Sequence, residues 1–251
     1  MNLILDEGYQ FGLGVFETIA LKCGKPILLS WHLERMNRSL ETLGIDQHVD
    51  SDEVMAYLEE QGKSGMIPKR HGLKLMVSGQ NKIFALRANP YTQERLDKGF
   101  VLDYSTVYRN ETSPLTAHKT MNYGDCILEK RCAVNSGIDE LIFKNSRQEI
   151  CEGTTTNIFF VREGRLYTPG KSCGLLPGIM RRFLMETFPV EETVLKERDI
   201  ENMDECFVTN SLMGVMPVTR LAGIRFADES SSAAGPMTAR CMGRCRELFL
   251  S

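Results

Sequence analysis

Long apolar runs are missing from this chain. None approaches the roughly 18 residues that cross a bilayer. The N-terminus offers only Leu3-Ile4-Leu5 before Asp6 and Glu7, too short and too acidic for a signal peptide. An excess of charge is missing too. The net charge is −3 with 30 basic and 33 acidic residues and a pI near 5.9, so nothing draws the chain to DNA, RNA or an anionic membrane. Cysteines are present, eight of them, but no two stand in a C-x-x-C pair. That spacing excludes the usual zinc frameworks, and a length of 251 residues argues against a disulfide scaffold. The four histidines (32, 48, 71, 118) lack zinc spacing, so no metal is expected. Gly12-Leu13-Gly14 lacks the third glycine of a dinucleotide fingerprint, and neither a G-x-x-x-x-G-K-[ST] loop nor a G-x-S-x-G elbow occurs. What remains is a cytoplasmic protein with reduced thiols, acting on small molecules.

With 42% hydrophobic and 25% charged residues, the chain can bury one large core or two small ones. Val15–Leu21 reads as a strand, Cys23-Gly24-Lys25-Pro26 as a turn and Ile27–Leu29 as a returning strand. Ser30 is then expected to cap a helix with Leu33, Met36, Leu40 and Leu43 on one face, Arg35 and Arg38 off it, and Gly44 at its end. A second helix is predicted over Ser51–Gln61, and a hairpin over His71–Val77 and Lys82–Ala88. Gly99–Tyr108 reads as a further strand. The polar segment 109–116, with Pro114 and no periodicity, reads as a linker between domains 1–108 and 117–251. Asp125 is expected to cap a helix over Cys126–Asn135. Strands follow at Glu140–Phe143, Gln148–Cys151, Asn157–Val161, Arg165–Thr168, Cys206–Thr209 and Val215–Leu221. Helices are predicted from Ile179 to about Thr187 and from Pro236 onward. Strands cluster late in the chain, which favours α+β over a doubly wound sheet.

Two stretches carry chemistry. The first is His118-Lys119-Thr120-Met121-Asn122-Tyr123 and the second Glu152-Gly153-Thr154-Thr155-Thr156. Taken alone, Lys119 is a surface lysine on a connecting loop. Its neighbours Thr120, Asn122 and Tyr123 are uncharged hydrogen-bonding groups, and Tyr123 could bond the phenolic oxygen of a pyridoxal ring. Glu152 ends a strand, and Gly153 lets the backbone approach a ligand closely. A lysine able to form an imine and a carboxylate able to pair with a protonated pyridine nitrogen are the minimum of pyridoxal-phosphate chemistry. Phosphate donors would be the amides of Ile179 and Met180 at a helix start, the guanidinium of Arg35, and Asn210 and Ser211 past a strand.

With those residues placed, the chain resembles the class IV aminotransferase family, which holds branched-chain aminotransferases, D-amino acid aminotransferases and 4-amino-4-deoxychorismate lyases. Its landmarks run in order: Phe11-Gly-Leu-Gly-Val-Phe-Glu-Thr18, His32-Leu-Glu-Arg35, Lys119-Thr-Met-Asn-Tyr123, Glu152-Gly-Thr-Thr-Thr-Asn157, Leu176-Pro-Gly-Ile179 and Thr209–Val218. The resemblance implies a two-domain D-amino acid aminotransferase-like fold, with a small N-terminal α/β domain and a larger C-terminal barrel-like one. It further implies a homodimer with its site in the domain cleft and pyridoxal 5'-phosphate as cofactor. Lys119 would be the imine lysine and Glu152 the ring-nitrogen partner, with Tyr123 and Thr155 beside them. Arg35, Ile179, Met180 and Ser211 would surround the phosphate, and Phe16, Thr18 and Asn210 would face the substrate. Thr209–Val218 is most similar to the lyases, which release pyruvate and 4-aminobenzoate on the folate route. The alternative is a transaminase of branched-chain or other small amino acids. The Arg-x-His pair that D-amino acid aminotransferases use for the substrate carboxylate is missing from residues 77–91.

Overall fold

The computed structural model describes residues 2–63, 71–227 and 232–250. Its contacts separate two units: one holds the chain up to Pro90 together with His118–Tyr123, and the other holds Tyr91–Ala117 and Gly124–Leu248.

The first unit begins with α1 (Glu7–Phe11), capped by Asp6, whose carboxylate accepts from the Tyr9 amide. Then come β1 (Gly14–Lys22), β2 (Lys25–Pro26), α2 (Leu29–Thr42), α3 (Ser51–Lys63), β3 (His71–Ser78) and β4 (Lys82–Ala88). The strands form an antiparallel sheet in the order β2-β1-β3-β4. Alternation along β1 and β3 sends Val15, Ile19, Leu21, Leu73, Leu75 and Val77 to one face. There they pack with Leu33, Met36 and Leu40 of α2 and Val54 and Leu58 of α3. The opposite phase carries Phe16 across from Met76 and Thr18 across from Lys74. The segment 118–123 joins β1 as a short extra edge. Thr120 bridges to Val15, the Phe16 amide donates to the Lys119 carbonyl at 2.9 Å, and the Met121 amide donates to the Gly14 carbonyl at 2.8 Å.

The second unit contains α4 (Gln93–Lys98), β5 (Phe100–Arg109), α5 (Gly124–Asn135), β6 (Glu140–Asn145), β7 (Ile150–Gly153), β8 (Asn157–Arg162) and β9 (Arg165–Pro169). It continues with α6 (Ile179–Thr187), β10 (Val190–Thr193), α7 (Glu197–Ile200), β11 (Glu205–Asn210), β12 (Gly214–Leu221), β13 (Ile224–Arg225) and α8 (Pro236–Leu250). Its sheet runs β10-β9-β8-β11-β12-β5-β6-β7, with β13 on β12. Parallel pairs (β12 with β5, β5 with β6, β9 with β10) stand beside antiparallel ones. Phe100, Leu102, Ile142, Ile158, Phe160, Val208 and Met216 form its core. Phe159 and Phe207 stack with centroids 5.0 Å apart. All eight cysteines are free, and Cys23 and Cys132 alone are exposed.

Three expectations change. The return strand is only Lys25–Pro26, and α2 starts at Leu29. Its N-cap is Leu28 in a left-handed turn (φ 52°) with no side-chain cap bond, so Ser30 lies inside the helix. The early end follows from the Ile27 amide, which still bonds the Ala20 carbonyl, after which the chain folds back at once. Asp125 sits in the first turn of α5 rather than capping it, because the helix already begins at Gly124. The domain boundary also moves. β5 is a strand of the larger sheet, held in parallel between β12 and β6, so the division falls after Pro90 and not after Tyr108. Of the segment 109–116, Arg109 ends β5 and the rest is a set of tight turns within the second unit, where Asn110 Oδ1 accepts from the Thr112 amide.

Candidate active site

In the first unit, Lys119 projects toward two rings. Its Nζ lies 4.5 Å from the Phe16 centroid and 5.0 Å from that of Tyr123, and the rings meet edge to face at 5.2 Å. Lys74, across the sheet from Thr18, brings its own Nζ to 4.3 Å from the Phe16 ring. Burial, helped by Arg87, pushes the Lys74 pKa down. This sheet face therefore carries Phe16, Thr18, Lys74, Lys119 and Tyr123 together.

The opposite phase of β1 carries one residue that breaks the apolar pattern. Glu17 is 1% exposed among Val15 and Ile19. Two α2 side chains reach it. Arg35 Nε donates to Oε1 and Arg35 NH2 to Oε2, each at 2.7 Å, a bidentate pair. His32 Nδ1 lies 2.7 Å from Oε2 and must carry the proton there, since a carboxylate only accepts. Burial by itself would raise the Glu17 pKa; the Arg35 guanidinium and then His32 outweigh it and hold it at about 2. Burial lowers the His32 pKa against the pull of Glu17, and the charges of Arg35 and Lys119 add to the lowering. His32 is accordingly a neutral imidazole at pH 7.

In the second unit, Glu152, the penultimate residue of β7, is nearly buried, with both oxygens held. Arg109 NH2 donates to Oε1 at 2.5 Å, and the Leu176 amide donates to Oε2 at 3.1 Å. Asn157 Nδ2 reaches the Leu176 carbonyl at 2.8 Å, which ties the start of β8 to the loop leading into α6. Gly178 caps α6 there. A Cβ on it would overlap Asn157 Oδ1, so the backbone approach needs glycine. The first-turn amides of a helix, here those of Ile179 and Met180, have no intrahelical acceptor and sit at the positive end of the dipole. The turn 153–156 is held from below. The Thr154 amide (3.0 Å), the Thr154 hydroxyl and the Thr155 hydroxyl (2.9 Å) all donate to the buried Glu140 carboxylate. Asn210 Oδ1 accepts from the amides of Leu212 and Met213, each at 3.0 Å, and shapes the turn that holds Ser211. Its Nδ2 donates to the Tyr91 hydroxyl at 3.0 Å.

The structure thus groups Phe16, Thr18, Lys119 and Tyr123 on one sheet face, with Arg35 held by the Glu17 cluster. It separately groups Glu152, Thr155, Ile179, Met180, Asn210 and Ser211 around strand ends of the larger sheet. Sequence reasoning passed over Glu17, His32, Tyr91, Arg109 and Glu140. Glu17 and His32 did leave a trace, being polar residues in the core-facing phase of a strand and a helix. Arg109 lay in what read as a linker, and nothing local marked it.

Taken unit by unit, the first offers a lysine amine beside two aromatic rings and a guanidinium held in place, and the second a nearly buried carboxylate and a helix start, which are the residue types that pyridoxal-phosphate chemistry uses. Residues 14–221 match the class IV amino-transferase family, and the chain belongs to it. An aminodeoxychorismate lyase of Bacillus subtilis is 28% identical over 92% of this chain and 85% of its own length. A Thermotoga maritima protein provisionally named a branched-chain-amino-acid aminotransferase is also 28% identical, over 91% of this chain and 83% of its own. A Legionella pneumophila crystal structure, provisionally named a 4-amino-4-deoxychorismate lyase, superposes with a TM-score of 0.86 at 27% identity, covering 99% of this chain and 96% of that one. The fold is the α+β fold of these enzymes, and the cofactor is pyridoxal 5'-phosphate.

The residues fit that group. Thr156 Oγ1 and Thr209 Oγ1 are buried with no hydrogen-bond partner, at the ends of paired strands. With the α6 amides they offer donors for a phosphate. Glu152, acceptor-only when ionised, suits a protonated ring nitrogen.

Proposed function

We propose that this enzyme is a 4-amino-4-deoxychorismate lyase, which eliminates pyruvate and leaves 4-aminobenzoate. The observation that carries the reading is the turn Asn210–Met213 within Thr209–Val218, the segment most similar to the lyases. The Bacillus subtilis relative supports it across nearly the whole chain. Bound pyridoxal phosphate supplies an electron sink for charge developing at the substrate's amine-bearing carbon.

The chain's own residues do the rest. Lys119 anchors the cofactor, and its Nζ, once released, takes the proton from that carbon as a general base. The adjacent carbon–oxygen bond then breaks, the ring becomes aromatic, and Lys119 returns a proton to the departing enol to give pyruvate. Glu152, fixed by Arg109 and the Leu176 amide, holds the ring nitrogen's proton. Tyr123 bonds the ring's phenolic oxygen. Arg35, aimed by Glu17 in the first unit, and Ile179, Met180 and Ser211 of the second would each serve as phosphate donors, with Thr155 bracing the turn after Glu152. Phe16 and Thr18 border the substrate. Asn210 has its amide engaged by Tyr91 and two backbone amides, so its part is to shape the turn. The resemblance to the family supports a homodimer, which light scattering would test.

The test is the absorbance spectrum of protein supplied with pyridoxal phosphate, followed by addition of aminodeoxychorismate. An imine band and rapid 4-aminobenzoate fluorescence are expected. The Thermotoga maritima relative favours a second reading, transamination of branched-chain or other small amino acids. An imine band with glutamate formed from 2-oxoglutarate and such a donor, and no 4-aminobenzoate, would establish it instead.

A further inference from the structure

One buried carboxylate has no part in the mechanism above. Glu140, the first residue of β6, is 0% exposed. A carboxylate this deep is costly unless each oxygen is paired. Three donors from residues 154 and 155 converge on it, and Lys130 Nζ lies 3.4 Å from Oε2. Gly153 makes the fit possible, since a Cβ there would stand 2.9 Å from Glu140 Cγ and overlap Thr156 Oγ1.

The bonds continue past Thr155 in one direction. Thr155 donates to Glu140 Oε2, so its lone pairs are left to accept. The Tyr91 hydroxyl is hydrogen-bonded to Thr155 and accepts from Asn210 Nδ2. Asn210 Oδ1 is turned the other way, toward the amides of Leu212 and Met213. Every link then has the same polarity: amide to phenol, phenol to threonine, threonine to carboxylate. An acceptor-only group is needed at the far end to fix it. Glutamine, with one donor edge, would face at least one of the threonine donors with another donor.

We infer that Glu140 is a positioning residue, which acts through Thr155, Tyr91 and Asn210 to lock the turn after Glu152 and the turn carrying Ser211 into one cofactor-binding arrangement. The inference rests on the proposed placement of Glu152 and Ser211 at pyridoxal phosphate. It goes beyond that placement by assigning the determinant of their geometry to a residue that touches neither cofactor nor substrate.

The experiment is equilibrium dialysis of pyridoxal phosphate against cofactor-stripped wild type, E140Q, Y91F, the E140Q/Y91F double variant, T155V and T155S. Breaking one buried hydrogen-bond link is expected to raise the Kd about ten-fold in E140Q, Y91F and T155V. T155S keeps the hydroxyl and stays within about two-fold of wild type on the same reasoning. The double variant should lose no more affinity than the worse single one, because the residues act in series. Additive losses, an unchanged Kd in Y91F and T155V, or a T155S as weak as T155V would overturn the inference. If E140Q does not fold, Y91F and the two Thr155 variants decide the question by themselves. A wild type that takes up no pyridoxal phosphate would overturn the proposed site as well; uptake by wild type with indifferent variants overturns the Glu140 role alone.

Discussion

The Glu17 cluster of the first unit and the Glu152 and Glu140 carboxylates of the second handle buried charge in opposite ways. In the Glu17 cluster, charge sits on regular elements. Glu17 is on a strand, His32 and Arg35 are on the helix packed over it, and each is placed by the same alternation that builds the core. In the other two carboxylates, charge sits at or beside strand ends. Glu152 is the penultimate residue of β7, Glu140 begins β6, and both are satisfied by turn hydroxyls, amides and side chains from elsewhere in the chain. A group on a strand face inherits its position from a ladder of backbone bonds, whereas a group at a strand end needs its own set of partners.

Mutations sharpen that contrast, beginning with the reactive group. Lys119→Ala is expected to lower turnover by on the order of 10³-fold and to abolish the imine band; normal 4-aminobenzoate release from it would break the assignment. Glu17→Ala leaves the partly buried Arg35 guanidinium without that carboxylate. A loss of about 3–5 kcal/mol in folding stability by urea denaturation is expected, together with weaker cofactor binding. Arg109→Gln strips Glu152 of its guanidinium partner. It should destabilise the protein by about 1–3 kcal/mol, and the change should be smaller once pyridoxal phosphate is bound.

Acid separates the units in another way. The pKa values of Glu17 and Asp6 are held at about 2 in the folded chain, Asp6 by bonds first from Ser78 and then from the Gln80 amide. A carboxyl whose folded pKa lies below its unfolded value, near 4, adds stability that is complete above that value and fades as pH falls toward 2. His32 adds to the loss below about pH 6.5, because it takes up a proton more readily when unfolded. The large carboxylate shifts lie in the first unit, while Glu111 and Glu149 of the second are lowered by less, the former mainly by Ser146 and the latter mainly by Arg147. Amide exchange at pH 3 should therefore expose β1 and α2 before β8 and β11. Simultaneous exposure would mean that these groups are not the weak point. The smallest effect is expected at Arg38, one turn beyond Arg35 on α2. Its exposed pair with Glu34 should be worth no more than about 0.5 kcal/mol, measured as the change on Arg38→Ala.

Periodicity and turn chemistry alone located most of the elements. The β3–β4 hairpin, α3, α6 and strands β6 to β9, β11 and β12 follow from local patterns, since alternation and helical spacing are properties of neighbours in sequence; β10 was not among them. Lys119, Arg35 and Glu152 could be singled out as candidates because each stands within a compact motif whose residues are contiguous. What local pattern could not give was pairing. Nothing in Gly99–Tyr108 says that β5 lies in parallel between β12 and β6, because parallel partners are distant in sequence. For the same reason Arg109 passed as linker until its guanidinium met Glu152, 43 residues later. The kinds of residue needed for the chemistry, and their order, are written in the sequence. Which carboxylates are buried, and which cations and hydroxyls hold them, was decided by tertiary structure, because a charge in the interior is tolerable only where the fold delivers its partners.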